Sequence, residues 1–298
     1  MAEHMITVPG ARLFVDERGP ADGPPLLFLH GGPGQSAFDF LRFQADHLAA
    51  RGLRVFSLDQ RGLLRSDPLP EGHEPTVEEI VADCEALREH FGLPAWTVLG
   101  HSAGGHYALR YATAHPTALT AAIFDCPAFD CDLTDRARLQ AVAALLDDMG
   151  DAENAALARE IAARPGRLTP ESGAIALMNA TGDRRDELFF RDPAALAAYN
   201  AVHRDSGYAA EDWRGASHLP LLAAMYTSLL PLLPTLTVPT MLVHGEGDTV
   251  AAPAIVDAYR TTAPGARVHT FTGSGHFPYV EEPETYADVI AAFVRERP

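Results

Sequence analysis

Gly100-His101-Ser102-Ala103-Gly104-Gly105 follows the apolar run Trp96-Thr97-Val98-Leu99 and opens a helix-like stretch from Ala103 to about His115. A serine set between glycines at a strand-to-helix turn is a G-x-S-x-G nucleophile elbow. A side chain at Gly100 or Gly104 would clash where the two backbones close, and the turn forces the serine into a strained conformation. The Ser102 hydroxyl is then held clear of its neighbours, at the positive end of a helix. It can attack a carbonyl only if a base takes its proton and an acid orients that base.

Thirteen histidines compete for the role of base. His276 fits it, because Gly273-Ser274-Gly275-His276-Phe277 lies between a strand and the last helix, and flanking glycines let a loop residue approach another element. The others have plainer readings. His30 follows a core strand and bonds loop backbone, His101 and His106 sit beside the elbow without reaching its hydroxyl, and His269 alternates within a strand. The acid is expected at Asp248, in His244-Gly245-Glu246-Gly247-Asp248, just after a strand and before a helix. Asp125, directly after the strand that follows the elbow, is its rival. The chain order serine, aspartate, histidine suits an elbow nucleophile. Two backbone donors must hold the oxyanion. Ala103 N–H is one. Gly32 N–H, in His30-Gly31-Gly32-Pro33-Gly34, is the other. Asp59-Gln60-Arg61-Gly62 follows the fourth strand, and Asp59 and Arg61 are expected to pair and shape the loops below the oxyanion hole.

These residues need a scaffold that brings strand ends together. Ile6–Val8 and Leu13–Asp16 form an expected antiparallel pair about Pro9-Gly10. Strands are then expected at Leu26–Leu29, Leu53–Leu58, Trp96–Leu99 and Leu119–Phe124, with a helix over Phe38–Ala50. A second helix starts at Thr76, where Glu79 completes a capping box, and ends near Phe91-Gly92. Apolar strands separated by amphipathic helices predict an α/β fold with a mainly parallel sheet and helices on both faces. From about Ala128 to Pro234 no strand is evident. Helices are expected over Thr134–Met149, Ala152–Ala163, Pro170–Ala180, Pro193–Arg204 and Leu219–Leu230. Alternation resumes with strand Thr240–Val243, helix Pro253–Thr262, strand Arg267–Phe271 and helix Pro283–Arg295. The expected division is a core of residues 1–127 and 235–298 with an all-helical lid over 128–234, placed above the sheet edge where ligands bind.

Composition narrows the partners. A net charge of −17 disfavours nucleic acid and anionic membrane surfaces. No run reaches the ~20 apolar residues of a membrane span, and no basic-then-apolar leader is evident, so a cytoplasmic protein with no membrane partner is expected. Three cysteines without metal-ligand spacing are expected to be free thiols, with no metal bound. No cofactor is implied, and the oligomeric state is open.

HGGPG at 30–34, DQRG at 59–62, the elbow at 100–104, GEGD at 245–248 and GSGH at 273–276 together resemble the α/β-hydrolase superfamily over nearly the whole chain. Within it they look most like the proline iminopeptidase group of serine peptidases. The resemblance implies a helical cap and a small acyl or aminoacyl substrate. The chain departs from that group in having Gly100-His101-Ser102-Ala103-Gly104-Gly105 where Gly-Gly-Ser-Trp-Gly-Gly is usual, Leu64 where a glycine is usual, and Thr249 where some members place an amine-binding glutamate. GHSxGG elbows are common in esterases, lactonases and thioesterases. The leading expectation is therefore a serine hydrolase cleaving an ester, lactone or thioester through an acyl-enzyme. An aminopeptidase releasing an N-terminal aminoacyl group is the alternative, and a non-hydrolytic receptor or lyase on the same scaffold is a reading of another class. An aminopeptidase needs a carboxylate for its substrate ammonium, and the inserted segment offers Glu187, Asp205, Glu211 and Asp212.

Overall fold

The computed structural model describes residues 1–296. The strands are β1 (Ala2–Val8), β2 (Ala11–Arg18), β3 (Pro25–Leu29), β4 (Arg54–Asp59), β5 (Trp96–His101), β6 (Leu119–Asp125), β7 (Thr240–Gly245) and β8 (Arg267–Phe271). They form one eight-stranded sheet in the order β1-β2-β4-β3-β5-β6-β7-β8. β1 pairs antiparallel with β2, and β2 with β4. All later pairings are parallel. The fold is thus α/β with a mainly parallel sheet.

Strand alternation divides the core in two. Leu27, Leu29, Val98, Ala122, Phe124 and Leu242 face one apolar cluster. Leu26, Phe28, Leu99, Ile123, Met241 and Val243 face the other. The first face is covered by α3 (Val77–His90), α4 (Ala103–Ala114) and α10 (Pro253–Thr262). The second is covered by α1 (Phe38–Phe43), α2 (Ala45–Ala50), α11 (Pro278–Glu281) and α12 (Pro283–Arg295). Both faces are sealed, which is why the central strands read as unbroken apolar runs.

Between β6 and β7 lie α5 (Cys131–Asp148), α6 (Ala152–Ala163), α7 (Ala174–Ala180), α8 (Pro193–Arg204), α9 (Pro220–Met225) and several short 3-10 segments, with no strand among them. α5, α6 and α7 pack on one another. Helices that open on proline begin where expected, because proline at the first position costs no hydrogen bond. The capping box at Thr76 is present, with Glu79 N–H donating to Thr76 Oγ1 and Thr76 N–H to the Glu79 carboxylate.

Four helices differ from expectation. Phe38–Ala50 is two helices broken at Gln44, so that α1 meets α8 and α11 while α2 meets β4 and α12. α5 starts three residues earlier, because Asp130 accepts from the Asp132 and Leu133 N–H groups and caps it there. Pro170–Ala180 is a 3-10 turn and then α7, divided by Gly173 at φ +93. Leu219–Leu230 shortens to α9, because Leu229 N–H is drawn away to Phe129 O at 2.9 Å. Among the described residues no helix is long and apolar enough to cross a membrane.

Candidate active site

Ser102 occupies the turn between β5 and α4, buried, at φ +57 and ψ −119. Its backbone is held by three hydrogen bonds: Ser102 N–H donates to Asp125 O at 2.8 Å, and Ser102 O accepts from Gly105 N–H and Ala128 N–H. The glycines are needed sterically. A Cβ on Gly100 would stand 2.1 Å from Gly104 O, and one on Gly104 would stand 2.0 Å from Leu29 O. On Gly31 it would lie 2.7 Å from Ser102 Cβ. The HGGPG loop therefore lies directly against the serine. Gly32, at φ +117, lines the same cavity as Ser102. Ala103 is the first residue of α4, so its N–H has no partner inside the helix.

His276 is also buried, with its backbone N–H donating to Phe189 O at 2.6 Å. Its Nδ1 meets Asp248 Oδ1 at 2.8 Å, which leaves Nε2 for another partner. The Asp248 side chain is fully buried. Its two oxygens also accept from Val250 N–H at 2.9 Å and Ala251 N–H at 3.0 Å. Burial works against that carboxylate's charge, but His276 and these N–H donors outweigh it, and the acid lies below its ordinary range. Burial lowers the His276 pKa despite the opposing pull of Asp248. Both shifts favour a neutral imidazole beside an ionised acid.

Asp125 is directed elsewhere. Its Oδ2 meets His101 Nδ1 at 3.1 Å and accepts from the Tyr286 hydroxyl at 2.9 Å. The His101 ring stands 4.7 Å from the His276 ring, centroid to centroid. Two histidine–aspartate couples thus lie side by side, and the one opening on the Ser102 cavity contains Asp248.

Cys126 lies between them, a neighbour that sequence reasoning missed. Its Sγ is within 4.8 Å of ligand atoms of His101 and Asp125 on one side and of Asp248 and His276 on the other. Burial and both carboxylates push the thiol pKa well up, so it stays protonated and hydrogen-bonds Asp248. A protonated thiol is a poor metal ligand, and these groups are spent on one another. The sequence signal was its place beside a strand-end aspartate; the structure adds a strained φ of +48.

Asp59 and Arg61 do not pair, contrary to expectation. Asp59 takes Arg65, whose Nε and Nη2 donate at 2.6 and 2.9 Å, together with Ala37 N–H. Arg61 goes instead to Asp83 and Glu79 on α3. In a continuing strand the two side chains would share a face. The chain turns directly after β4, with Leu63 N–H donating to Gln60 O, and residue 61 leaves that face. Gln60 takes the expected role, since its N–H donates to His30 Nε2 and its side chain to His30 O, steadying the HGGPG loop. Leu64 keeps a positive φ of +36 although it is not glycine. Arg214, from the inserted segment, donates to the carbonyls of Gly62, Leu64 and Ser66 around it.

Ser102 and His276 open on a cavity of about 320 Å³, walled by sheet-edge loops on one side and by inserted helices on the other. None of Glu187, Asp205, Glu211 or Asp212 lines it. Glu187 pairs outward with Arg184, Asp205 with Arg204, and Asp212 accepts from Ala209 N–H. The carboxylate that lines it is Asp186, half-buried, one residue before the expected Glu187. Thr249 faces away, donating to Leu188 O at 3.1 Å, so its departure from the peptidase pattern takes nothing from this cavity.

Comparison with known proteins agrees with this architecture. Residues 24–283 match the family described as alpha/beta hydrolase fold. The chain is 27% identical to a proline iminopeptidase from Heyndrickxia coagulans over 98% of both sequences. A proline iminopeptidase from Neisseria gonorrhoeae is 39% identical, but over only 35% of this chain and 33% of its own length. Among solved structures, a proline iminopeptidase-related protein from Thermus thermophilus superposes with a TM-score of 0.75 at 27% identity, covering 100% of this chain and 99% of that one. An esterase from Exiguobacterium antarcticum superposes with a TM-score of 0.70 at 22% identity over 99% and 100%, a likeness of fold alone. The strand order, the elbow and a match over most of its length agree: this chain belongs to the alpha/beta hydrolase fold family.

Proposed function

We propose that the chain is a serine hydrolase with Ser102 as nucleophile, His276 as general base and Asp248 as orienting acid. The 2.8 Å contact of His276 Nδ1 with Asp248, in a histidine that shares a cavity with Ser102, supports it. His276 Nε2 takes the hydroxyl proton as Oγ attacks the carbonyl carbon. The resulting oxyanion rests on the Gly32 and Ala103 N–H groups. His276 returns the proton to the leaving group, the acyl–Ser102 ester forms, and water activated by His276 hydrolyses it. No step draws on a cofactor. Residues 128–234 serve as a cap and residues 1–127 and 235–298 as the core, a reading supported by the inserted helices that wall the cavity.

The acyl group carries a free amine. This reverses the order of the two sequence expectations, and Asp186 is the observation that carries it. Its carboxylate makes no hydrogen bond or salt bridge among the described residues, yet it lines the Ser102 cavity. An ammonium entering a mainly apolar cavity loses hydration and needs such a partner. The proline iminopeptidase names of the full-length relatives point the same way. A neutral ester is the second reading, favoured by the apolar walls and by Arg185 lining the cavity next to Asp186.

Prolyl-anilide, N-acetyl-prolyl-anilide and a short neutral aryl ester separate the two. The free amine should raise kcat/KM at least tenfold, about 1.4 kcal/mol, and Asp186→Asn should abolish that gain. Equal or better turnover of the acetylated compound and the ester would assign an esterase.

A further inference from the structure

Resting on the serine-hydrolase reading, we infer that the second histidine–aspartate couple serves the first: His101 is a positioning residue for His276, and Asp125 fixes His101 in place. The register of the sheet builds this arrangement. His101 and Asp125 are Cα partners at the end of the parallel β5–β6 pair. Leu99 and Ile123 face the apolar cluster that α11 and α12 cover, and residues two positions on share that face. An ionisable couple therefore stands on a face that is otherwise apolar.

Hydrogen bonds and ring contacts tie the couple to both halves of the proposed reaction. Asp125 O accepts from Ser102 N–H at 2.8 Å. Asp125 Oδ2 meets His101 Nδ1 at 3.1 Å and accepts from the Tyr286 hydroxyl at 2.9 Å. The His101 ring, 1% exposed, packs on three rings of residues 276–279. Its centroid stands 4.7 Å from that of His276, 5.1 Å from that of Phe277 and 5.1 Å from that of Tyr279. Asp125 thus holds the nucleophile through its main chain and, through His101, the base. An apolar pair would fill the space at lower cost. His101 Nε2 and Asp125 Oδ1 are buried without a hydrogen-bond partner among the described residues, and unspent polar atoms cost stability. Departures of this kind gather at functional sites.

The couple also bears on the charge of the base. Burial lowers the His276 pKa and Asp248 opposes it; of the couple, His101 lowers it and Asp125 raises it. Two adjacent imidazoles resist holding two protons, whereas a carboxylate favours the imidazolium. The other groups on this side are spent elsewhere. The Cys126 thiol stays protonated against Asp248. The hydroxyls of Tyr279 and Tyr286, on α11 and α12, go to Asp39 and Asp125. The inserted segment turns the Phe189 ring toward His276 at 5.7 Å, and its Arg138, Arg185, Asp186 and Tyr199 reach the same cavity.

The test measures kcat, KM and the pH profile of kcat/KM on whichever of prolyl-anilide and the neutral aryl ester the wild type turns over. Asp125→Asn keeps an acceptor for His101 and removes the carboxylate, so the acid-side midpoint should move down by about half a pH unit or more. His101→Phe keeps a ring against His276 and removes the competing imidazole, so the midpoint should move up by about as much. His101→Asn keeps a donor for Asp125 but no ring, and kcat should fall about tenfold or more with KM within about a factor of two. Each midpoint is read within one folded variant, so a loss of stability does not erase it. With His276→Ala inactive, midpoints that stay put or move the same way, or a wild-type kcat in His101→Asn, overturn the inference and leave the couple as packing. Wild-type turnover by His276→Ala overturns the hydrolase reading instead.

Discussion

His276 has two aspartates within its neighbourhood, and only one touches it. Asp248 accepts from the ring at 2.8 Å, while Asp125 is occupied by His101 and Tyr286. Under the proposed mechanism Asp248→Asn should cut kcat by orders of magnitude, because an amide favours the wrong imidazole tautomer. Asp125→Asn should cost far less activity. The reverse ranking, measured on one substrate, would transfer the acid to Asp125. Ser102→Ala should lower kcat as severely as losing His276, since such groups act as a unit. Its circular dichroism should be unchanged, and wild-type turnover by this variant would rule the nucleophile out. The pH profile follows from His276. Burial depresses its pKa below that of free histidine, and in the proposed mechanism the neutral form is the base. kcat/KM should therefore be level above pH ~6.5 and fall on acidification, with a midpoint below ~6.5. A midpoint above 7 in a folded protein would contradict this.

Among the elements, the elbow and its support differ in kind. β5 and α4 touch through glycine, so Gly104→Ala drives a Cβ against Leu29 O, a backbone atom that cannot swing aside. That variant should lose both stability and turnover. α3 packs on α4 but contributes no residue to the Ser102 cavity, and its Thr76 cap is exposed. Thr76→Ala should cost about 1 kcal/mol of stability and leave kcat/KM within a factor of two. Urea titration and turnover of both variants check the contrast, and a catalytic defect in Thr76→Ala would show that α3 reaches the site. The inserted segment is fastened to the same loops. Arg214 holds three carbonyls of residues 62–66, and His218 Nε2 meets Arg61 O at 2.8 Å. Gly34 meets Gly215 so closely that a Cβ would stand 2.2 Å from Gly215 O.

The protein as a whole buries several histidines in neutral form. Burial lowers the pKa of His30 and of His106 from 6.5 to about 4. Between those values the unfolded chain binds protons that the folded chain refuses. Stability from these groups is therefore complete above pH ~6.5 and is lost as pH falls toward 4, at up to roughly 1.4 kcal/mol per pH unit for each. His218, His244 and His269 are shifted in the same direction by burial. The urea midpoint should hold between pH 7 and 8 and drop steadily from pH 6.5 to 4.5. A midpoint that stays constant to pH 4.5 would refute the linkage.

The order of elements, the elbow and the glycines around it were legible in the chain alone. They rest on short-range physics: apolar runs against helical spacing, proline and cap positions, and the space that a Cβ would occupy. The segments that converge were legible too, because a parallel sheet carries successive strand ends to one edge. Which charged groups meet was settled only by packing. Asp125 and Asp248 both follow strands, and only the packing of His101 and Tyr286 on Asp125 leaves Asp248 to His276. Asp59 passes over Arg61 for Arg65, because the turn after β4 carries residue 61 toward α3 and brings residue 65 back. Asp186 enters the cavity while adjacent Glu187 faces outward to Arg184, since one residue rotates a side chain by about 100–120° in a tight helical turn. Such pairings are set by distances through space between segments far apart in the chain, and no local pattern encodes them.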